Sequence, residues 1–362
     1  MSDPVAWDLA ERVAIRVAGR EPLAESYLAA SLQSDFAAHT EQAEALVSEV
    51  TGLVSAHGPA RARVTDRAGW IGANVSSFRR LLRPVLDKLG PRMAQSPLAP
   101  VSRTVAGAQL GAMLGWMSTR VLGQYDLLLV EDDDPEEQDL VYYVGPNVLA
   151  LEKRFAFPPA QFRLWLALHE VTHRLQFTGV PWMRPHFISL VERTMDGVDP
   201  DPKRFLDALK RAVDQMRSGE NPLDDGGIVA LFAGEEQHAT LRQVQGMMSL
   251  LEGHGDITMN RAGQGLIPEA DRFHSTLHSR RSQVNPAAKM VQKVLGLEAK
   301  MKQYAQGEDF INAVERHGGP EMVSLIWESA EHLPDLAEIR DPASWLARMS
   351  SVATSEGSAG VS

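Results

Sequence analysis

The chain has no cysteine among its 362 residues. That excludes disulfide bridges, thiolate metal ligands and a cysteine nucleophile together. A basic surplus is missing as well: 36 Lys and Arg stand against 47 Asp and Glu, a net charge of −11. A general nucleic-acid binder would carry the opposite balance. Long apolar runs are also lacking. The most membrane-like stretch, residues 104–117, is too short to span comfortably, contains Gln109, and lies between Arg103 and Arg120. Its glycines, Gly107, Gly111 and Gly115, recur every four residues, a pattern that suits a soluble helix packed closely on a neighbour. The first residues, Met1 to Asp8, show neither the basic segment nor the apolar core of a secretory signal. The expectation is a cytoplasmic protein with no membrane or nucleic-acid partner.

What is present is the composition of a globular chain, 44% hydrophobic and 23% charged. Most of it reads as helix. Apolar residues at three- and four-residue spacing run through 21–54, and His57-Gly58-Pro59 closes that stretch. Further helices are expected over 147–155, 162–177, 187–193, 202–217, 228–251, 285–305, 310–317 and 320–329. The segment 61–103 is locally basic and reads as a solvated helical face, with a linker around Gly90-Pro91, Pro97 and Pro100. One place reads as strand: residues 125–130 and 140–144 flank Glu131-Asp-Asp-Asp-Pro-Glu-Glu137, which makes a hairpin with a long polar tip. The fold expected is therefore mainly α with a small β-hairpin or sheet, an α+β arrangement. Composition suggests an N-terminal helical region over 1–100, a metal-binding catalytic domain over 101–351, and a flexible tail over 352–362.

The strongest chemical signal is His169-Glu170-Val171-Thr172-His173. On a helix, positions i and i+4 lie one above the other, so both imidazoles reach one metal ion from a single face. Glu170 sits about 100° round, where it meets a zinc-bound water rather than the ion. Zinc lowers that water's pKa, and the carboxylate takes its proton and returns it to a leaving amine. The motif lies inside Leu164-Trp-Leu-Ala-Leu168 and Leu175-Gln-Phe177, so its helix is apolar nearly all round and buried. Two histidines and a glutamate in such a helix need partners, and a metal supplies them. The plainer account is a pair of core histidines bonded to backbone carbonyls.

A catalytic zinc needs a third protein ligand and one open position. A metzincin would carry Gly at 176 and His at 179; this chain has Gln176 and Gly179. His186 follows Pro185 and reads as part of a turn. Glu252 is the best candidate, since it follows an apolar run and has Asp256 one turn on, where a second acid would fix the tautomer of a ligand histidine. His254 lies on another face and is a candidate for hydrogen bonding to substrate or to an oxyanion, as is Tyr304. His274 and His278, beside Arg280-Arg281, read as a surface face.

The blocks His169-Glu-Val-Thr-His-Arg-Leu-Gln-Phe177, Met248-Ser-Leu-Leu-Glu-Gly-His254 and Leu295-Gly-Leu-Glu298 with Lys302 to Gly307 resemble an actinobacterial family of zinc-dependent metallopeptidases of the zincin type. Its members are also called deazaflavin-coenzyme biosynthesis-associated proteins, although no segment here resembles a deazaflavin site. The resemblance runs over most of the chain, with Val64 to Trp70 and Asp341 to Leu346 included. It implies a zincin-like fold, His169 and His173 as zinc ligands, Glu170 as base, a peptide or amide substrate, and Glu252 as third ligand. Gly255 and Asn260 depart from the pattern outside the expected metal shell.

Two other readings remain open at this point. Glu170-x-x-His173 and Glu235-x-x-His238, with Glu192, Glu252 and Glu298 available, match a di-iron carboxylate bundle. A catalytically inactive zincin-like scaffold with a closed structural zinc is the other. Oligomeric state is not legible from sequence.

Overall fold

The computed structural model describes residues 4–21, 23, 26–94, 99–125, 139–196, 235–282 and 297–359. The chain divides into one compact unit of Met1–Gly179 with Thr258–Leu277 and a second of Val180–Ile257 with His278–Ser362. The expected helix at 202–217 and the hairpin tip at 131–137 lie outside the described residues.

The first unit is built on three short strands, β1 (Arg61–Thr65), β2 (Gly123–Tyr125) and β3 (Leu140–Val144), in the order β1-β3-β2. β3 is central. Its five residues, Leu-Val-Tyr-Tyr-Val, are all buried, as suits a β-branched and aromatic run covered on both faces. β2 pairs antiparallel with it, Gly123 opposite Tyr143 and Tyr125 opposite Val141; of the strand expected over 125–130, residues 126–130 lie outside the described residues. β1 pairs with β3 in parallel, Arg61 opposite Leu140. Sequence suggested a basic helical face over 61–103; its first five residues form this strand instead, with half-buried arginines, and the described residues from Arg67 on are helical.

Helices enclose this sheet: α1 (Trp7–Ala18), α2 (Leu32–Thr51), α3 (Arg67–Ala94), α4 (Ala99–Ser118), α5 (Gly145–Phe155) and α6 (Pro159–Thr178). The stretch expected as one helix over 21–54 is a 3-10 turn at Tyr27–Ala29 followed by α2. α3 runs through Gly90-Pro91 to Ala94, where composition suggested a linker. The glycine period of α4 is explained by α1. A Cβ at Gly107, Gly111 or Gly115 would lie 2.6, 2.3 or 2.4 Å from the carbonyl oxygens of Ala6, Ala10 and Ala14, so the two backbones touch. No described helix is long and apolar enough to cross a membrane.

α6 is the best-anchored helix of the unit. Pro159 opens it, and Gly179 N–H closes it on the Leu175 carbonyl at 2.8 Å. Arg163 donates to both oxygens of Glu152 on α5, at 2.8 and 2.9 Å, and to Asp35 on α2. Arg174 is fully buried; it donates to Asp139, to Glu44 on α2 at 2.6 Å and to the Gly58 carbonyl at 2.8 Å. A guanidinium taken out of water needs this kind of full pairing. On the sheet side, Phe36 of α2 stacks on Tyr143 at 3.9 Å, and Thr40 shares a hydrogen bond with the Tyr143 hydroxyl.

The second unit holds α7 (Met183–Asp196), most of α8 (Glu235–Ala262), α10 (Leu297–Ser324), α11 (Leu336–Arg340) and α12 (Pro342–Ala359); α9 (Ala270–Ser282) contributes Phe273 to the first unit's core. Its core gathers Leu250, Phe310, Val314, Ile326, Ile339 and Trp345. α10 breaks at Gly319, whose φ of 75° precedes Pro320, between the helices expected at 310–317 and 320–329; it runs unbroken through 306–309, where a gap was expected, and a 3-10 turn follows from Leu325. α8 passes unbroken through Gly253 and Gly255. Gly253 is required there, because a Cβ on it would lie 2.3 Å from the Glu308 nitrogen.

Candidate metal centre

The two histidines of α6 face one point. Their Nε2 atoms are 3.2 Å apart and their rings meet at 84°. Two imidazoles bound to one tetrahedral zinc at about 2.0–2.1 Å would hold their nitrogens about 3.3–3.4 Å apart, so the pair fits such an ion as it stands. The tautomer fits too. His173 Nδ1 lies 3.0 Å from Oε1 of Gln176, which is fully buried one turn on. A carbonyl oxygen only accepts, so Nδ1 carries the proton and donates, which leaves the Nε2 lone pair aimed at His169. Two ring nitrogens this close share either one proton or one cation.

The expected third ligand, Glu252, lies on α8 in the second unit, and the two histidines lie on α6 in the first. All three side chains are half-buried. Because α8 continues through its glycines, Asp256 falls one turn beyond Glu252 on the same face, as a second acid supporting a ligand histidine would.

Glu170, 8% exposed, packs against β2. The three heavy atoms nearest to a Cβ built on Gly123 all belong to it: Cγ at 2.6, Oε1 at 2.7 and Cδ at 2.8 Å. The bare backbone of β2 is thus the wall of the Glu170 pocket. Behind it, burial raises the Tyr143 phenol far above its ordinary pKa, and the Glu170 carboxylate adds to the shift.

The other candidates fall as follows. His254 is buried with its ring 4.7 Å from that of Trp327. Tyr304 is on α10, and its side chain lies outside the described residues. His186 is not in a turn. It belongs to the first turn of α7, its N–H donating to the Trp182 carbonyl at 3.0 Å, because Pro185 is tolerated where helix donors are unpaired anyway. Burial, and then Arg193, lowers its pKa. His274 and His278 are exposed on α9. His238 is half-buried near the start of α8, and the Glu235 side chain lies outside the described residues. Sequence reasoning missed two residues at this centre. Gln176 had a signal, its i+3 spacing from His173. Gly123 had none, since only packing brings β2 against α6.

The model of a family described as zincin-like metallopeptidase matches residues 5–346. A solved structure, a candidate hydrolase with a novel fold from Chloroflexus aurantiacus, is similar with a TM-score of 0.70 and 30% sequence identity, over 96% of this chain and 99% of that one. No curated protein matches the chain.

Proposed function

Since the chain belongs to the zincin-like metallopeptidase family, we propose that it is a zinc-dependent peptidase in which His169, His173 and Glu252 hold the ion and Glu170 moves the proton. The observation that carries this reading is the pair of Nε2 atoms 3.2 Å apart, with Gln176 holding the tautomer that leaves His173 free to bind. The resemblance of the Met248 to His254 block to zincin-type metallopeptidases supports Glu252 as the third ligand. When bound, zinc supplies the Lewis acidity that polarises a scissile carbonyl and acidifies water. Glu170 accepts a proton from the attacking water at its carboxylate and then delivers it to the departing amine nitrogen. Its burial keeps that proton from exchanging freely with solvent. Asp256 is our candidate for the second acid that would support a ligand histidine, and His254 and Tyr304 are our candidates for contacts to substrate.

The test is metal analysis of the purified protein followed by hydrolysis of a fluorogenic peptide library with and without chelator. One zinc per chain and chelator-sensitive cleavage are expected. Glu170→Gln should retain the zinc and lose about 10²- to 10⁴-fold in kcat. Full activity in that variant removes the role given to Glu170. Two irons per chain would replace the reading with a carboxylate bundle, and zinc without hydrolysis would leave a metal-bound scaffold in place of an enzyme.

A further inference from the structure

We infer that Gly123 is a positioning residue for the Glu170 carboxylate, and that the missing side chain on β2 is what keeps the proton carrier in place. The inference rests on the role proposed for Glu170 and adds a residue outside its helix. The crowding is specific. Within 4 Å of a Cβ at position 123 the three nearest atoms are Cγ, Oε1 and Cδ of Glu170, at 2.6, 2.7 and 2.8 Å. Real Cβ atoms essentially never come that close, so a side chain at 123 forces either the strand or the glutamate to move.

The strand is the part that holds. Gly123 is paired with Tyr143 in the ladder to β3, and Val144 N–H donates to the Leu122 carbonyl at 2.8 Å. On one face of β2, Gln124 accepts from Trp70 Nε1 at 2.8 Å and donates to Asn74 at 3.3 Å. On the other, Tyr125 is buried with its ring stacked on that of Phe177, 6.4 Å away. Gly123 and Tyr125 share a strand face, and Glu170 and Phe177, seven residues apart, share a helix face. The ring contact therefore sets the register that leaves position 123 opposite Glu170. With β2 clasped on three sides, the side chain gives way, and a swung carboxylate no longer meets the attacking water. Gly123 has no positive φ, so alanine is compatible with the backbone and the effect is confined to this contact.

The test is Gly123→Ala in the full chain, made in both the wild-type and the Glu170→Ala backgrounds. In the wild-type background, kcat on the peptide library should fall by about 100-fold or more, with KM within a factor of about two and one zinc still bound per chain. Tm should drop in the wild-type background and not in Glu170→Ala, because truncating position 170 removes the atoms that the new methyl meets. If Gly123→Ala alone does not fold, recovery of folding in the double variant supports the same coupling. An equal Tm loss in both backgrounds, or a kcat within twofold of wild type, overturns the inference. Should the wild type cleave no peptide, the proposed activity falls, and the Tm cycle still decides whether Gly123 positions Glu170.

Discussion

At the residue scale, the proposed metal pair depends on one buried amide. Gln176 accepts from His173 Nδ1 and so dictates which ring nitrogen stays unprotonated. Gln176→Leu keeps the volume and the burial but removes the acceptor, and zinc affinity should fall about 10- to 100-fold, read by competition with a chromogenic chelator. An unchanged affinity would mean that the tautomer is set elsewhere. The histidines were legible in the sequence because their relation is local: i,i+4 on a helix is a distance before any tertiary structure exists. Glu252 was legible more weakly, from an apolar run and an acid one turn on. Gln176 stood in plain view beside the motif, yet its function needs full burial and a 3.0 Å contact, and neither is a property of spacing. Gly123 could not be read at all, since a glycine in a strand carries no mark of what packs against it.

At the element scale, α6 is held by charge on both sides of the turn that carries His169, Glu170 and His173. Arg174→Leu would leave Asp139 and Glu44 facing an apolar side chain, and the loss should be about 3–5 kcal/mol, measured by equilibrium unfolding in denaturant. A loss below about 1 kcal/mol would show that water reaches these carboxylates. Legibility at this scale followed the same division between local and distant causes. α6 and both halves of α10 announce themselves through periodicity and through Gly and Pro at their ends. β1 does not: Arg-Ala-Arg-Val-Thr alternates charge in a locally basic segment, and it becomes a strand because β3 offers a free edge. Passage of α8 through Gly253 brings it into close packing against α10, where a side chain would not fit.

At the scale of the molecule, stability should follow metal and pH. An ion that binds only the folded chain stabilises it by about 2.7 kcal/mol at a free concentration one hundred times its Kd, so chelator should lower Tm in calorimetry. A Tm indifferent to chelator would argue against a resident ion. Burial holds the imidazoles of His39 and His186 below their ordinary value of 6.5. The unfolded chain therefore takes up protons first as pH falls, and stability drops as pH goes down through 6.5 and returns as it rises. Between about pH 7.5 and about pH 5.5, the His39→Gln/His186→Gln protein should lose less Tm than wild type.

The two arginines of α6 find acids on one and the same neighbour, Asp35 and Glu44 of α2. That neighbour serves as a splint. A rod tied at two points along a second rod can neither slide nor roll, so the turn of His169 to His173 between the knots inherits its stillness from a helix outside the proposed ligand set. Damage to the splint should accordingly be felt first as blunted chemistry, well before the chain comes apart.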